Sequence, residues 1–129
     1  MTVERKSFND TSCIIEKTLA VQMTIDASAV DVGNIDQTHI LRKNLILGKI
    51  TASGKLVAYD ETGTDDGRRT AYAILVNETD LKNGNPLATA TDHEAQALII
   101  GIADPSLCHG YDAAAKVDLE GANRIFFRS

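Results

Sequence analysis

Apolar and polar positions alternate with period two in several short stretches of the chain, and this pattern predicts a mostly β domain. Leu19, Val21, Met23 and Ile25 alternate with Ala20, Gln22, Thr24 and Asp26, the signature of a strand buried on one face. Residues 45–51 and 56–59 are β-type runs joined by Ala52-Ser53-Gly54-Lys55, where Gly54 supplies the positive φ that a hairpin turn needs. Residues 71–76 predict the next strand, with Tyr72, Ile74 and Val76 on one face, and residues 87–91 predict the start of another. Residues 95–103 are almost wholly apolar, as expected of a strand covered on both faces. Asp104-Pro105 ends that run, because proline cannot donate to a ladder.

One short helix is expected over residues 112–120. Asp112 is a good N-cap, Ala113-Ala114-Ala115 favour helix, and Gly121 suits the position just past the end. Residues 124–128 then predict a final strand that carries Phe126 and Phe127. Polar turns separate these elements at residues 31–34, 60–67 and 82–86. The fold class expected is mostly β (α+β), with one short helix and no internal repeat.

Composition divides the chain near His39. Residues 1–40 hold three Lys or Arg against six Asp or Glu, whereas residues 41–129 hold ten against twelve. The reading is therefore an N-terminal arm over 1–40, which holds the 19–25 strand if that strand is not part of the core, and a β-rich core over 41–129. The net charge of −5 is opposite to what phosphate neutralisation requires, so direct nucleic-acid binding is not expected. The longest apolar run, residues 97–103, is too short to span a bilayer, and no apolar segment follows the charged start as in a secretory signal. The expectation is a soluble protein made in the cytoplasm, with Cys13 and Cys108 reduced, Cys108 as a small apolar residue and Cys13 partly exposed.

Motif-like strings fail on their mechanics. Gly48 to Lys55 has five residues between its glycines where a phosphate-binding loop has four, and Leu56 stands where a Ser or Thr would hold Mg²⁺. The acidic loop at 60–67 lacks the ligand spacing of a calcium loop. His39, His93 and His109 have no metal-ligand spacing, and Cys108 and His109, adjacent on an extended chain, point to opposite faces. No catalytic residue, cofactor or metal is expected from these residues.

Lys55-Leu56-Val57-Ala58-Tyr59-Asp60, followed by an Asp/Gly/Thr-rich loop and by Ala73-Ile74-Leu75-Val76, resembles the lambda-type bacteriophage head decoration proteins. Leu47-Gly48-Lys49-Ile50-Thr51 also resembles the strand that precedes this hairpin in several members. The likeness covers about residues 41–128. It departs from the family in the short connection 105–110 and in the long, well-patterned N-terminal segment.

The resemblance implies a small β-tulip-like domain and a non-enzymatic virion structural protein. Such a protein sits as a homotrimer at local three-fold sites on the outer surface of the expanded capsid, where it stabilises the shell as a cement protein. Its implied partners are the major capsid protein and itself. An extended arm adds a strand to an exposed sheet edge through backbone hydrogen bonds. That makes Phe8, Ile14, Ile15, Leu19, Val21, Met23 and Ile25 the candidate capsid contacts, set against the alternative that 19–25 pairs within the domain's own sheet. Asp65, Asp66, Arg68 and Arg69 form a candidate trimer-contact loop, although exposed ion pairs of this kind contribute little. Two rival readings remain at this stage: a trimeric binding module of a tail or fibre, and a small hydrolase using His93 or Cys108 with His109.

Overall fold

The computed structural model describes residues 12–128. Eight strands form: β1 (Ile14–Ile25), β2 (Ile40–Leu41), β3 (Ile46–Lys49), β4 (Leu56–Ala58), β5 (Ala71–Leu75), β6 (Thr79–Asp80), β7 (His93–Ala103) and β8 (Ile125–Phe127). One helix, α1 (Ala113–Gly121), and a 3-10 turn at Pro105–Leu107 lie between the last two strands.

The main sheet has six strands in the order β1-β4-β3-β5-β7-β8, and β1 also pairs with β7. The sheet therefore closes on itself through β1. Closure on one side rests on a single parallel pair, Ile25 with Leu56, reinforced by Asp26 N donating to Leu56 O at 2.9 Å. On the other side an antiparallel ladder runs the whole length of β1, from Ile14 opposite Ala103 to Ile25 opposite His93. Of the two surroundings open to the 19–25 pattern, the structure places this segment against its own domain. β2 and β6 form a separate small pair, too short for periodicity to register.

Alternation divides the core into two clusters. On β3, Leu47 enters the first and Ile46 the second; on β5, Ala73 and Leu75 enter the first and Ile74 the second; on β7, Ala95 and Ala97 enter the first and Leu98 the second. Successive strand residues point to opposite faces, so the sheet is covered on both sides here. Ile25, Ala29 and Leu41 complete the first cluster, so residues N-terminal to the composition boundary are part of this core.

The second cluster is closed by α1, which contributes Ala115 and Leu119 one turn apart. Asp112 is the N-cap and accepts from Ala115 N at 2.7 Å. Asp118 accepts from Ala71 N at 2.9 Å, which ties the helix to the start of β5.

Three local expectations are corrected. Residues 87–91 form no strand; the chain turns through 82–88, with Asn83 and Gly84 both at positive φ, and β7 begins only at His93. β7 is not covered on both faces throughout, since Glu94, Gln96 and Ile100 are exposed. Within the run, Ala95 and Ala97 face the first cluster and Leu98 the second. Gly121 is the last helical residue rather than the one beyond it, and Asn123 takes the left-handed position with φ 58°.

Candidate functional site

The KLVAYD string that prompted the family comparison has internal roles. Leu56 and Val57 are buried in the first cluster. Tyr59 is buried in the second, and its hydroxyl donates to Asp112 Oδ1 at 2.9 Å, bracing the helix N-cap. Burial, then the Asp112 carboxylate, raises the Tyr59 pKa above the usual phenol range. Asp60 folds the following turn by accepting from Thr62 N and Oγ1. Leu56, Val57 and Tyr59 thus build the core, and Asp60 shapes the turn that follows.

The loop after this string is held by its own bonds. Asp66 and Arg68 pair through Nε at 3.0 Å and Nη2 at 2.8 Å, and Arg69 Nε donates to Gly63 O at 2.8 Å. The hydrogen bond from Arg68 holds the Asp66 carboxyl below its usual range. Gly67 has φ 117°, and a Cβ there would lie 2.1 Å from Lys49 O. Of the four candidate trimer-contact residues, Asp66, Arg68 and Arg69 thus have partners within the loop, and Asp65 is exposed.

The titratable residues considered for catalysis are not brought together. His93 Nδ1 donates to Thr91 O, and Nε2 faces the Asn83 amide, both at 2.8 Å. His109 is held through its backbone to Asn44 O and Ile46 N; burial, then the Arg42 charge, lowers its pKa. The Cys108 thiol turns to Asp104 O at 3.3 Å. A shallow depression of about 280 Å³ is lined by amide, hydroxyl and carboxylate side chains, among them Gln22, Glu78 and Glu94. Among the described residues no three His, Cys, Asp or Glu side chains converge on a common metal position, and no helix is long and apolar enough to cross a membrane.

What the surface does offer is apolar side chains on rigid elements, in two places. The first is the outer half of the β1–β7–β8 ladder. Leu19 pairs with Ile100, Ile102 pairs with Phe126, and Ile100 and Ile102 are two apart on one strand, so the four share a face. Leu19 is 43% exposed and Phe126 46%, and Ile15 nearby is 56% exposed. The predicted contact face does not run as one along β1: register shifts on both sides of Leu19 set it opposite the exposed Ile100, whereas the half-buried Val21 and Met23 pair with Ala97 and Ala95 of the first cluster and Ile25 is fully enclosed there. Ile14 is half-buried against the second cluster, and Phe8 lies outside the described residues.

Further exposed apolar side chains stand on the turns at 30–36 and 82–88, outside the strands of the ladder. Val32 is 79% exposed, Ile35 77% and Leu87 94%. The turns that carry them are braced from beneath. Asp31, 2% exposed, accepts from Arg42 N at 3.1 Å, Nε at 2.9 Å and Nη2 at 3.1 Å. Asn34 Nδ2 donates to Gln37 O and Ile40 O, and Leu87 N donates to Asn85 Oδ1. Composition and period pointed to Leu19 but missed Val32, Ile35 and Leu87. Isolated apolar residues in turns have no periodicity, and only their exposure on a fixed backbone marks them.

The family model for bacteriophage lambda head decoration protein D matches residues 17–100. This span includes most of β1, the KLVAYD hairpin and the first two-thirds of β7. No individual curated protein matches the chain.

Proposed function

The chain belongs to the bacteriophage lambda head decoration protein family, and we propose that it decorates the outer surface of an expanded phage capsid as a non-enzymatic homotrimer at local three-fold sites. Head decoration itself, and with it association with the capsid, follows from the family. The finer reading is carried by one observation: exposed apolar side chains held on the β1–β7–β8 ladder and on the braced turns at 30–36 and 82–88. A shell-stabilising subunit must grip both the shell and its neighbours, and desolvating a large apolar side chain contributes about 1.5–3 kcal/mol.

The outer half of β1 continues from the N-terminal segment, so Ile15, Leu19 and Phe126, with Phe8 and Ile14, are the contacts assigned to the major capsid protein. Val32, Ile35 and Leu87 are assigned to contacts between copies. The loop with Asp65, Asp66, Arg68 and Arg69 is assigned to the same contacts between copies. In this reading the protein is synthesised in the host cytoplasm and joins the head after the shell expands.

Co-sedimentation with empty expanded heads of the encoding phage, together with analytical ultracentrifugation of the free protein, tests the assignment. The native chain is expected to sediment with heads and to form a trimer of three 13.9 kDa chains. Leu19→Asp is expected to abolish head binding while leaving the trimer intact, and Leu87→Asp to weaken the trimer. A monomeric native protein, or undiminished head binding by Leu19→Asp, refutes the arrangement.

A further inference from the structure

The chain's two cysteines, at opposite ends of the described sequence, meet in the fold. Cys13 precedes β1 and is fully buried in the second cluster, not partly exposed as its sequence context led one to expect. Its carbonyl accepts from Asp104 N at 2.7 Å, extending the ladder by one step beyond the Ile14–Ala103 pair. The 3-10 turn at Pro105–Leu107 then doubles the chain back. Cys108 N donates to Pro105 O, and Cys108 Sγ lies 3.3 Å from Asp104 O. This return packs Cys108 against the same buried cluster that holds Cys13. Asn44 Oδ1 accepts from Cys13 N at 3.0 Å and fixes the position of the buried partner.

We propose that Cys13 and Cys108 are a built disulfide site, which closes when the folded protein meets a small-molecule disulfide of the glutathione class. Cys108, the more accessible of the two, loses its proton and attacks one sulfur of the oxidised glutathione. That S–S bond breaks, and one glutathione leaves as a thiolate that takes up a proton. Cys13 then loses its proton and attacks the Cys108 sulfur of the mixed disulfide, expelling the second glutathione. Two protein thiols are oxidised, and one small disulfide is reduced to two thiols. Contact with Cys13, then burial, raises the Cys108 thiol pKa, so little thiolate is present and the exchange is slow.

The bond would tie the root of the N-terminal segment to the turn between β7 and α1, closing a loop of nearly the whole domain. A reducing cell would leave the pair open, and release into an oxidising medium would close it. Nothing in this inference depends on head binding, and its test uses the free protein.

The full chain is incubated overnight in oxidised glutathione, quenched with an alkylating reagent and weighed intact. The expected product has lost two hydrogens, takes no alkyl group, remains monomeric in covalent size, and reverts with dithiothreitol. Its thermal midpoint is expected to rise by roughly 10 °C, since a cross-link closing a long loop constrains the unfolded chain strongly. Cys108→Ser, checked for folding by far-UV circular dichroism, is expected to lose both the mass change and the rise. Two alkylatable thiols after incubation overturn the proposal. So does a stable mixed disulfide at Cys108, or an oxidation-dependent rise that survives in Cys108→Ser.

Discussion

Replacing Asp31 by Asn tests the support beneath the exposed turn at 30–36. The substitution preserves shape and removes one charge. Asp31 is 2% exposed and receives three hydrogen bonds from Arg42, whose side chain is 32% exposed. Breaking a buried pair by removing one partner costs ~3–5 kcal/mol, mostly because the remaining charge is stranded. Arg42 is open enough to recover part of its hydration, so the expected loss is about 2–3 kcal/mol. Urea unfolding followed by far-UV circular dichroism measures it, the chain having no tryptophan.

The acid limb supplies a second reading of the same pair. Burial on its own would raise the Asp31 pKa, but the hydrogen bonds and charge of Arg42 outweigh it and hold the carboxyl below its ordinary value. A depressed folded-state pKa means stability that is present above the unfolded value of about 4 and lost as pH falls below it. Asp31→Asn should therefore narrow its deficit against the native protein as pH drops below ~4. Asp66, Asp80, Asp92 and Glu120 are also depressed, so both proteins keep some acid sensitivity. An Asp31→Asn midpoint equal to the native one at neutral pH, or a deficit that does not shrink in acid, would show that the fork does not hold the turn.

Two further substitutions probe the hairpin and its loop. Gly67→Ala forces a Cβ to within 2.1 Å of Lys49 O at a φ of 117°, so a loss of at least ~3 kcal/mol is expected in urea unfolding; a near-native midpoint would mean the loop relaxes freely. Tyr59→Phe deletes the donor to Asp112 while Asp112 continues to cap Ala115, so a loss of about 1 kcal/mol with unchanged helix content is expected; loss of the helix signal would show that the hydroxyl, not the cap, holds α1.

The parts of the fold that could be read from sequence are those set by local chemistry. The 19–26 alternation, the Gly54 hairpin, the Asp112 cap and the terminal Ile-Phe-Phe strand each follow from a period or a cap whose physics is confined to a few residues. What could not be read was set by partners distant in sequence. Alternation in β1 records one buried face but not that the strand pairs with β7, and the meeting of Cys13 with Cys108 depends on a register completed only at Ala103. Residues 87–91 misled for the opposite reason. Their pattern predicts the start of a strand, yet Leu87 is exposed on a turn held by Asn85.

That error bears on function. In the KLVAYD hairpin Leu56, Val57 and Tyr59 are turned into the core and Asp60 shapes the following turn, so most of this string specifies the scaffold. The exposed apolar residues on the braced turns contribute little to that scaffold, because removing an exposed side chain leaves no cavity and strands no polar group. Under the proposed contacts, stability and adhesion are carried by separate residues. Charged substitutions at Leu19 or Leu87 can remove an interaction without unfolding the domain. Substitutions at Asp31 act on both, because that carboxylate is buried in the core's margin and directly supports the turn that bears Val32 and Ile35. A head decoration protein gains from such a separation: its surface can follow changes in the capsid while the closed sheet beneath it stays the same.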